Sequence, residues 1–154
     1  MEPSKNWAVF IHPSTLKLAS FIETLLEPVI CKETAKEIKL GLHEALVNAV
    51  VHGNLSNPNK VIRVRRILTP NWFVWQIQDE GIGIVKDKRL SSLPLEIGSN
   101  SGRGIYLIHK CFDDVRWSRK GNRLQLSLKK ISYLMAFAAS IFYVFFYPQY
   151  CLSK

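Results

Sequence analysis

Two hydrophobic periods alternate along the chain. Trp7-Ala8-Val9-Phe10-Ile11 is a short apolar run closed by His12-Pro13, and it reads as a first strand. After it Leu16, Leu18, Ala19, Ile22, Leu25 and Leu26 recur at helical spacing, with Ser14 placed to cap that helix and Glu27-Pro28 to stop it. A second helix is expected from about Lys32, with Ala35, Ile38, Leu42, Ala45, Leu46 and Ala49 on its apolar side. It should run unbroken to Gly53-Asn54, two residues that tolerate the left-handed conformation closing a helix. Asn57-Pro58-Asn59 is turn chemistry.

From Val61 the period becomes two. Val61 to Leu68 is rich in β-branched residues, Thr69-Pro70-Asn71 makes a turn, and Trp72 to Asp79 alternates, so two antiparallel strands joined as a hairpin are expected. Alternation places Asp79 on the face of Phe73, Trp75 and Ile77, the face that helices should cover, and a carboxylate ending a core-facing row needs a partner. Residues 84–101 mix charge, Ser, Pro and Gly without period and read as a long mobile loop of the kind that forms lids. Gly102-Arg103-Gly104 then opens a helix with Ile105, Leu107, Ile108 and Phe112 apolar. Asp113 to Arg119 and Asn122 to Lys129 should pair as a last hairpin, with Leu124, Leu126 and Leu128 inward and Arg123, Gln125, Ser127 and Lys129 outward. The order strand-helix-helix-strand-strand-loop-helix-strand-strand predicts an α+β two-layer sandwich, with helices on one face of a mixed, mostly antiparallel sheet.

Length and charge narrow the class. The 154 residues hold one domain with one core, and no internal repeat is present. The composition changes only after Lys130, which divides the chain into a domain at 1–130 and an apolar tail at 131–154. Ile131 to Tyr147 carries no charge, follows Lys129-Lys130, and at 17 residues reaches the lower limit for spanning a bilayer. It reads as a membrane anchor holding the domain on the cytosolic face, as a helix packed on the domain or in an oligomer interface, or as a tail without function. The net charge of +9 favours acidic or phosphate-bearing partners, yet only Arg63-Val64-Arg65-Arg66 and Lys129-Lys130 cluster. With no aromatic-basic RNA motif, zinc-finger spacing or basic recognition helix, direct nucleic-acid binding is not expected. Cys31, Cys111 and Cys151 are odd in number and far apart, which argues against a disulfide framework and for buried thiols in a reducing, cytoplasmic compartment. The N-terminus lacks the pattern of an export signal.

Three stretches carry chemistry. Glu44, Asn48 and His52 stand four apart and stack on one side of the second helix. Asn48 can offer a neutral oxygen to a hard cation and Glu44 can take a proton, which suits a magnesium–nucleotide site; the same residues also describe the wet side of an amphipathic helix. Asp79-x-Gly81-x-Gly83 lets the backbone turn sharply against a ligand, or forms a plain hairpin turn. Gly102-x-Gly104 before a helix presents free amides and a positive dipole end, a phosphate cue that is weak by itself.

In this order the three motifs resemble the GHKL ATPase superfamily, which includes sensor histidine kinases, gyrase-type ATPases and Hsp90. The helix pattern of residues 14–54 and the run Glu44-Ala45-Leu46-Val47-Asn48-Ala49-Val50-Val51-His52-Gly53-Asn54 look most like the anti-sigma-factor serine kinases of bacteria, over residues 5–130. The resemblance implies ATP and Mg²⁺ as cofactors. By that likeness Glu44 is the general base, Asn48 the magnesium ligand beside the phosphates, and Asp79 the acceptor for the adenine amine. Gly81 and Gly83 pass close to the base, while Gly102 and Gly104 hinge a lid and place amides on phosphate. Arg103 either neutralises phosphate or is solvated, and His52 packs or hydrogen-bonds rather than reacts. His12, His43 and His109 lack ligand spacing, so no protein-held metal is expected. The implied activity is an ATP-dependent protein serine/threonine kinase that sequesters a sigma factor and phosphorylates an anti-anti-sigma partner. The alternative is a nucleotide-gated protein-binding module with little or no kinase activity, and a homodimer is a recurrent state of that family. A histidine-kinase catalytic domain is disfavoured because no phosphoacceptor-helix segment precedes the first strand. Two features depart from the family: Gly121-Asn122 stands where Gly-Thr is frequent, and the chain is basic where that branch is frequently acidic.

Overall fold

The computed structural model describes residues 6–89 and 103–130. Five strands, β1 Trp7–Pro13, β2 Val61–Leu68, β3 Trp72–Gln78, β4 Asp114–Trp117 and β5 Arg123–Lys129, form one sheet in the order β1-β2-β3-β5-β4. Every described pairing is antiparallel. Three helices cover one face: α1 Ala19–Leu26, α2 Lys32–Asn48 and α3 Arg103–Cys111. This is the α+β two-layer arrangement that the element order predicts.

Alternation along the strands builds the core in rows. Val64, Ile77 and Leu124 stand side by side in register, and Trp75 and Leu126 form the next row. All five are buried against α1 and α2 residues such as Ile22, Leu25, Ile38, Leu42 and Leu46. Arg66 belongs to this inward face rather than to an outward basic cluster with Arg63 and Arg65. Its guanidinium donates to Thr24 O at 2.7 Å, and Trp75 Nε1 donates to Leu25 O at 3.2 Å. Two side chains from the sheet thus satisfy carbonyls that the last turn of α1 leaves open, which with Pro28 explains where that helix ends.

Some local expectations are corrected. Ser14 does not cap α1, which starts at Ala19 without a side-chain cap. It is buried at the end of β1, where its N–H donates to Lys60 O and its hydroxyl accepts from Asn54 Nδ2 at 3.2 Å. The second helix is not α-helical to its end: Ala49–Gly53 is a π-helical turn, with Asn54 N–H bonded to Ala49 O at 2.8 Å. The left-handed positions that follow are Leu55 and Ser56, with φ of 57° and 54°, instead of Gly53 and Asn54. Ser127, expected outward, is buried between its register neighbours Val74 and Asp114. The first part of the expected long loop holds a short 3₁₀ turn, Lys86–Arg89. Arg89 fastens it by donating to the carbonyls of Ile84, Ser118 and Arg119. The rest of that loop, Gly102 and the tail at 131–154 lie outside the described residues. Among the described residues no helix is long and apolar enough to cross a membrane.

Asn54 holds the end of the second helix in place. Fully buried, it donates to Ser14 Oγ and to Val61 O at 3.0 Å, and its Oδ1 accepts Glu80 N–H at 2.8 Å. Asn54→Ala strands those groups without water, and a loss of about 2–3 kcal/mol in urea unfolding is expected. A loss below about 0.5 kcal/mol would contradict the anchoring role.

Candidate functional site

Glu44 and Asn48 stand one turn apart on α2, both half-buried. The start of α3 lies against them. A Cβ built on Gly104 would stand 2.9 Å from Glu44 Oε2 and 3.6 and 3.7 Å from Asn48 Nδ2 and Oδ1. With no side chain at Gly104 the first turn of α3 packs directly on this face, and a Cβ there would require the Glu44 carboxylate to shift. Arg103, the first residue of α3, is exposed. His43 Nδ1 lies 3.8 Å from Glu44 Oε1, an ion pair only when the imidazole is protonated.

The other end of the same helix meets Asp79. A Cβ on Gly53 would collide with the Asp79 carboxyl group, standing 2.7 Å from Oδ2. Asp79 Oδ1 accepts the Gly81 N–H at 2.7 Å, while Oδ2 has no protein donor among the described residues. The main chain here is clamped by Asn122: Asp79 N–H donates to Asn122 O at 3.1 Å, and Asn122 Nδ2 donates to Asp79 O at 3.2 Å. The neighbouring carboxylate has a structural task, since Glu80 Oε2 accepts Val61 N–H at 2.8 Å. Gly83, at φ +92°, turns the loop against the Lys120 carbonyl, and Ile84 N–H then bonds Gly121 O at 3.1 Å. Burial pushes the Asp79 carboxyl above the usual aspartate value, against the opposing pull of the Gly81 N–H, its own N–H and the Lys120 and Lys60 charges.

The π turn explains how one helix serves both ends. In an α-helix the fifth residue on is rotated by about 140°, so Gly53 would face away from Asn48. The π turn, bonded from i to i+5, turns Gly53 back toward the Asn48 side, where it packs on Asp79, and His52 is exposed. From Glu44 to Gly53 the helix rises roughly 13 Å, comparable with an extended nucleoside triphosphate. Glu44, Asn48 and Gly104 therefore gather at one end of a helical edge, with Asp79 and Gly81 at the other.

Residues 14–129 match the family described as "Histidine kinase-like ATPase domain". The chain belongs to that family. Its place is in the branch of the anti-sigma F factors. It is 37% identical over 102 residues to the anti-sigma F factor of Bacillus cytotoxicus, covering 64% of this chain and 67% of that protein. The corresponding protein of Priestia megaterium is 36% identical over 106 residues, covering 64% and 68%. That of Oceanobacillus iheyensis is 33% identical over 102 residues, covering 64% and 67%. For an ATPase domain of this kind ATP is the expected nucleotide. The groups present suit it: at one end a half-buried carboxylate oxygen that has no donor among the described residues, and at the other a carboxamide beside helix-start amides.

Sequence reasoning missed Asn54 and Asn122, the two amides that hold the Asp79 segment from either side. Gly121-Asn122 did stand out as a departure from the family, but nothing in the pattern shows that its side chain turns onto the Asp79 carbonyl.

A carboxyl raised by burial binds its proton more readily in the folded chain than in the unfolded one. Its contribution favours the fold below the ordinary aspartate value and is lost as pH rises through the raised one. Asp79→Asn keeps an acceptor for Gly81 N–H and removes the charge. It is expected to raise the thermal midpoint at pH 7, with a smaller gain at pH 4, as read by circular dichroism. A lower midpoint at pH 7 would count against the burial argument.

Proposed function

We propose that the chain is an ATP-dependent protein serine/threonine kinase that acts as an anti-sigma regulatory factor, binding a sigma factor and phosphorylating an anti-anti-sigma partner. The observation that carries this reading is the close seating of α3's first turn on Glu44 and Asn48, on the same helix that meets Asp79. The names of the relatives supply the regulatory part.

In this reading Asp79 Oδ2 accepts a hydrogen bond from the adenine amine, and Gly81 and Gly83 let the main chain pass beside the base. Asn48 gives its amide oxygen to Mg²⁺. Held there with the nucleotide, Mg²⁺ would neutralise charge on the phosphates. Gly102, Arg103 and Gly104 bring amides and one cation to the phosphates. ATP supplies the phosphoryl group, and transfer requires mainly positioning and charge neutralisation. Glu44, with 27% of its side chain accessible, can be reached by a partner's hydroxyl. As the hydroxyl oxygen bonds to the γ-phosphorus and the bond to the β–γ bridging oxygen breaks, Glu44 takes the hydroxyl proton.

The test uses labelled ATP and a candidate anti-anti-sigma protein. Glu44→Ala is expected to bind ATP as the parent does and to lose transfer roughly 100-fold or more. Asn48→Ala is expected to weaken magnesium-dependent ATP binding. ATP-dependent partner binding without phosphate transfer by the parent chain would replace the kinase with a nucleotide-gated binding module. ATP binding unchanged by Asn48→Ala would overturn the metal assignment.

A further inference from the structure

Beside Glu44, α1 and α2 leave an open groove of 790 Å³ that the proposed reaction does not use. Its floor includes the core side chains Leu18 and Ile22. Its banks carry two leucines that the fold leaves in water, Leu16 at 60% exposure and Leu40 at 47%. Basic groups surround them: Lys17 just before α1, and Lys36, Lys39 and His43 on α2. Spaced by three and four, Lys36, Lys39, Leu40 and His43 share one helical face. Among the described residues neither Lys17 nor Lys36 is ion-paired. Lys39 pairs with Glu23, but both side chains are more than half exposed, so the pair is weak and another carboxylate can replace Glu23.

Scattered single leucines on a surface carry no message, but two on facing banks above an apolar floor offer a continuous seat. The rim asks for carboxylates and the seat asks for apolar side chains, a combination found in an acidic amphipathic segment of a protein. A nucleic acid would set phosphates against the leucines, and the groove has no Phe, Tyr or Trp on which bases could stack. A small anion would find only flexible surface lysines. His43 lines the groove and stands 3.8 Å from Glu44, so an occupant lies beside the carboxylate that acts on the partner.

We infer that this groove docks an acidic amphipathic segment of the protein substrate, holding it next to Glu44. The inference rests on the kinase reading above. It is tested by fluorescence anisotropy on the full chain, without ATP, so that docking is read apart from transfer. The probes are a labelled amphipathic helical peptide of leucine and glutamate, its scrambled isomer, and a single-stranded oligonucleotide of equal net charge. Saturable binding of the amphipathic peptide, weakened about tenfold or more by Lys17→Glu/Lys36→Glu and by Leu16→Ser/Leu40→Ser, is expected. Unchanged ATP affinity in both variants shows that they fold. Equal binding of the scrambled peptide or the oligonucleotide, or no effect of either pair of substitutions, would overturn the assignment. Docking that persists in a chain unable to transfer phosphate would leave the groove standing as a binding surface and remove the kinase reading alone.

Discussion

The helix that begins as α2 is met by two other segments along one edge, at one point more closely than a side chain allows. Near its middle the start of α3 rests on Glu44 and Asn48 at Gly104, and at its π-helical end Gly53 rests on the Asp79 carboxyl. The helix itself is fixed by Ile38, Leu42 and Leu46, which are wholly buried against the sheet. Two segments far apart in the chain, the start of α3 and the Asp79 turn, are therefore registered against one rigid body. A Cβ at Gly53 would push the helix end and Asp79 apart, and their spacing decides whether a single nucleotide can touch all of these groups.

The same region carries the fold's unfavourable terms. Asp79 holds a carboxyl that burial discourages from ionising, and Leu55 and Ser56 take a left-handed backbone that costs about 1–2 kcal/mol per residue. Two side-chain amides, Asn54 buried and Asn122 half-buried, offset this. Asn54 ties the helix end to β1, β2 and Glu80, and Asn122 clamps the main chain of Asp79. Strain and desolvation concentrated at one place, with polar networks that compensate them, are expected where a site rather than the core has shaped the sequence.

Much of this was legible in the sequence because it rests on local periods. Alternation in Trp72 to Gln78 and Arg123 to Lys129 located the rows that meet the helices. The i, i+4 spacing of Glu44 and Asn48 placed them on one helical side, and Asp79 followed from the phase of its strand. The rest depends on contacts that no period encodes. Ser14 and Asn54 are 40 residues apart and recognise each other only once both are buried. Arg66 reads as one of three surface arginines until β2 turns it onto the carbonyls of α1. The π turn at Ala49–Gly53 ends where Asn54 is anchored by Ser14, Val61 and Glu80, a bonding pattern that a 3.6-residue period does not encode.

The direct test is a crystal structure of the chain with magnesium and a non-hydrolysable ATP analogue. The expected result has the adenine amine within hydrogen-bonding distance of Asp79 Oδ2, Asn48 Oδ1 on the magnesium, and the γ-phosphate between Glu44 and the first turn of α3. A nucleotide bound elsewhere, or lying in the cleft with its phosphates at Asp79, would contradict the arrangement on which the proposed function depends.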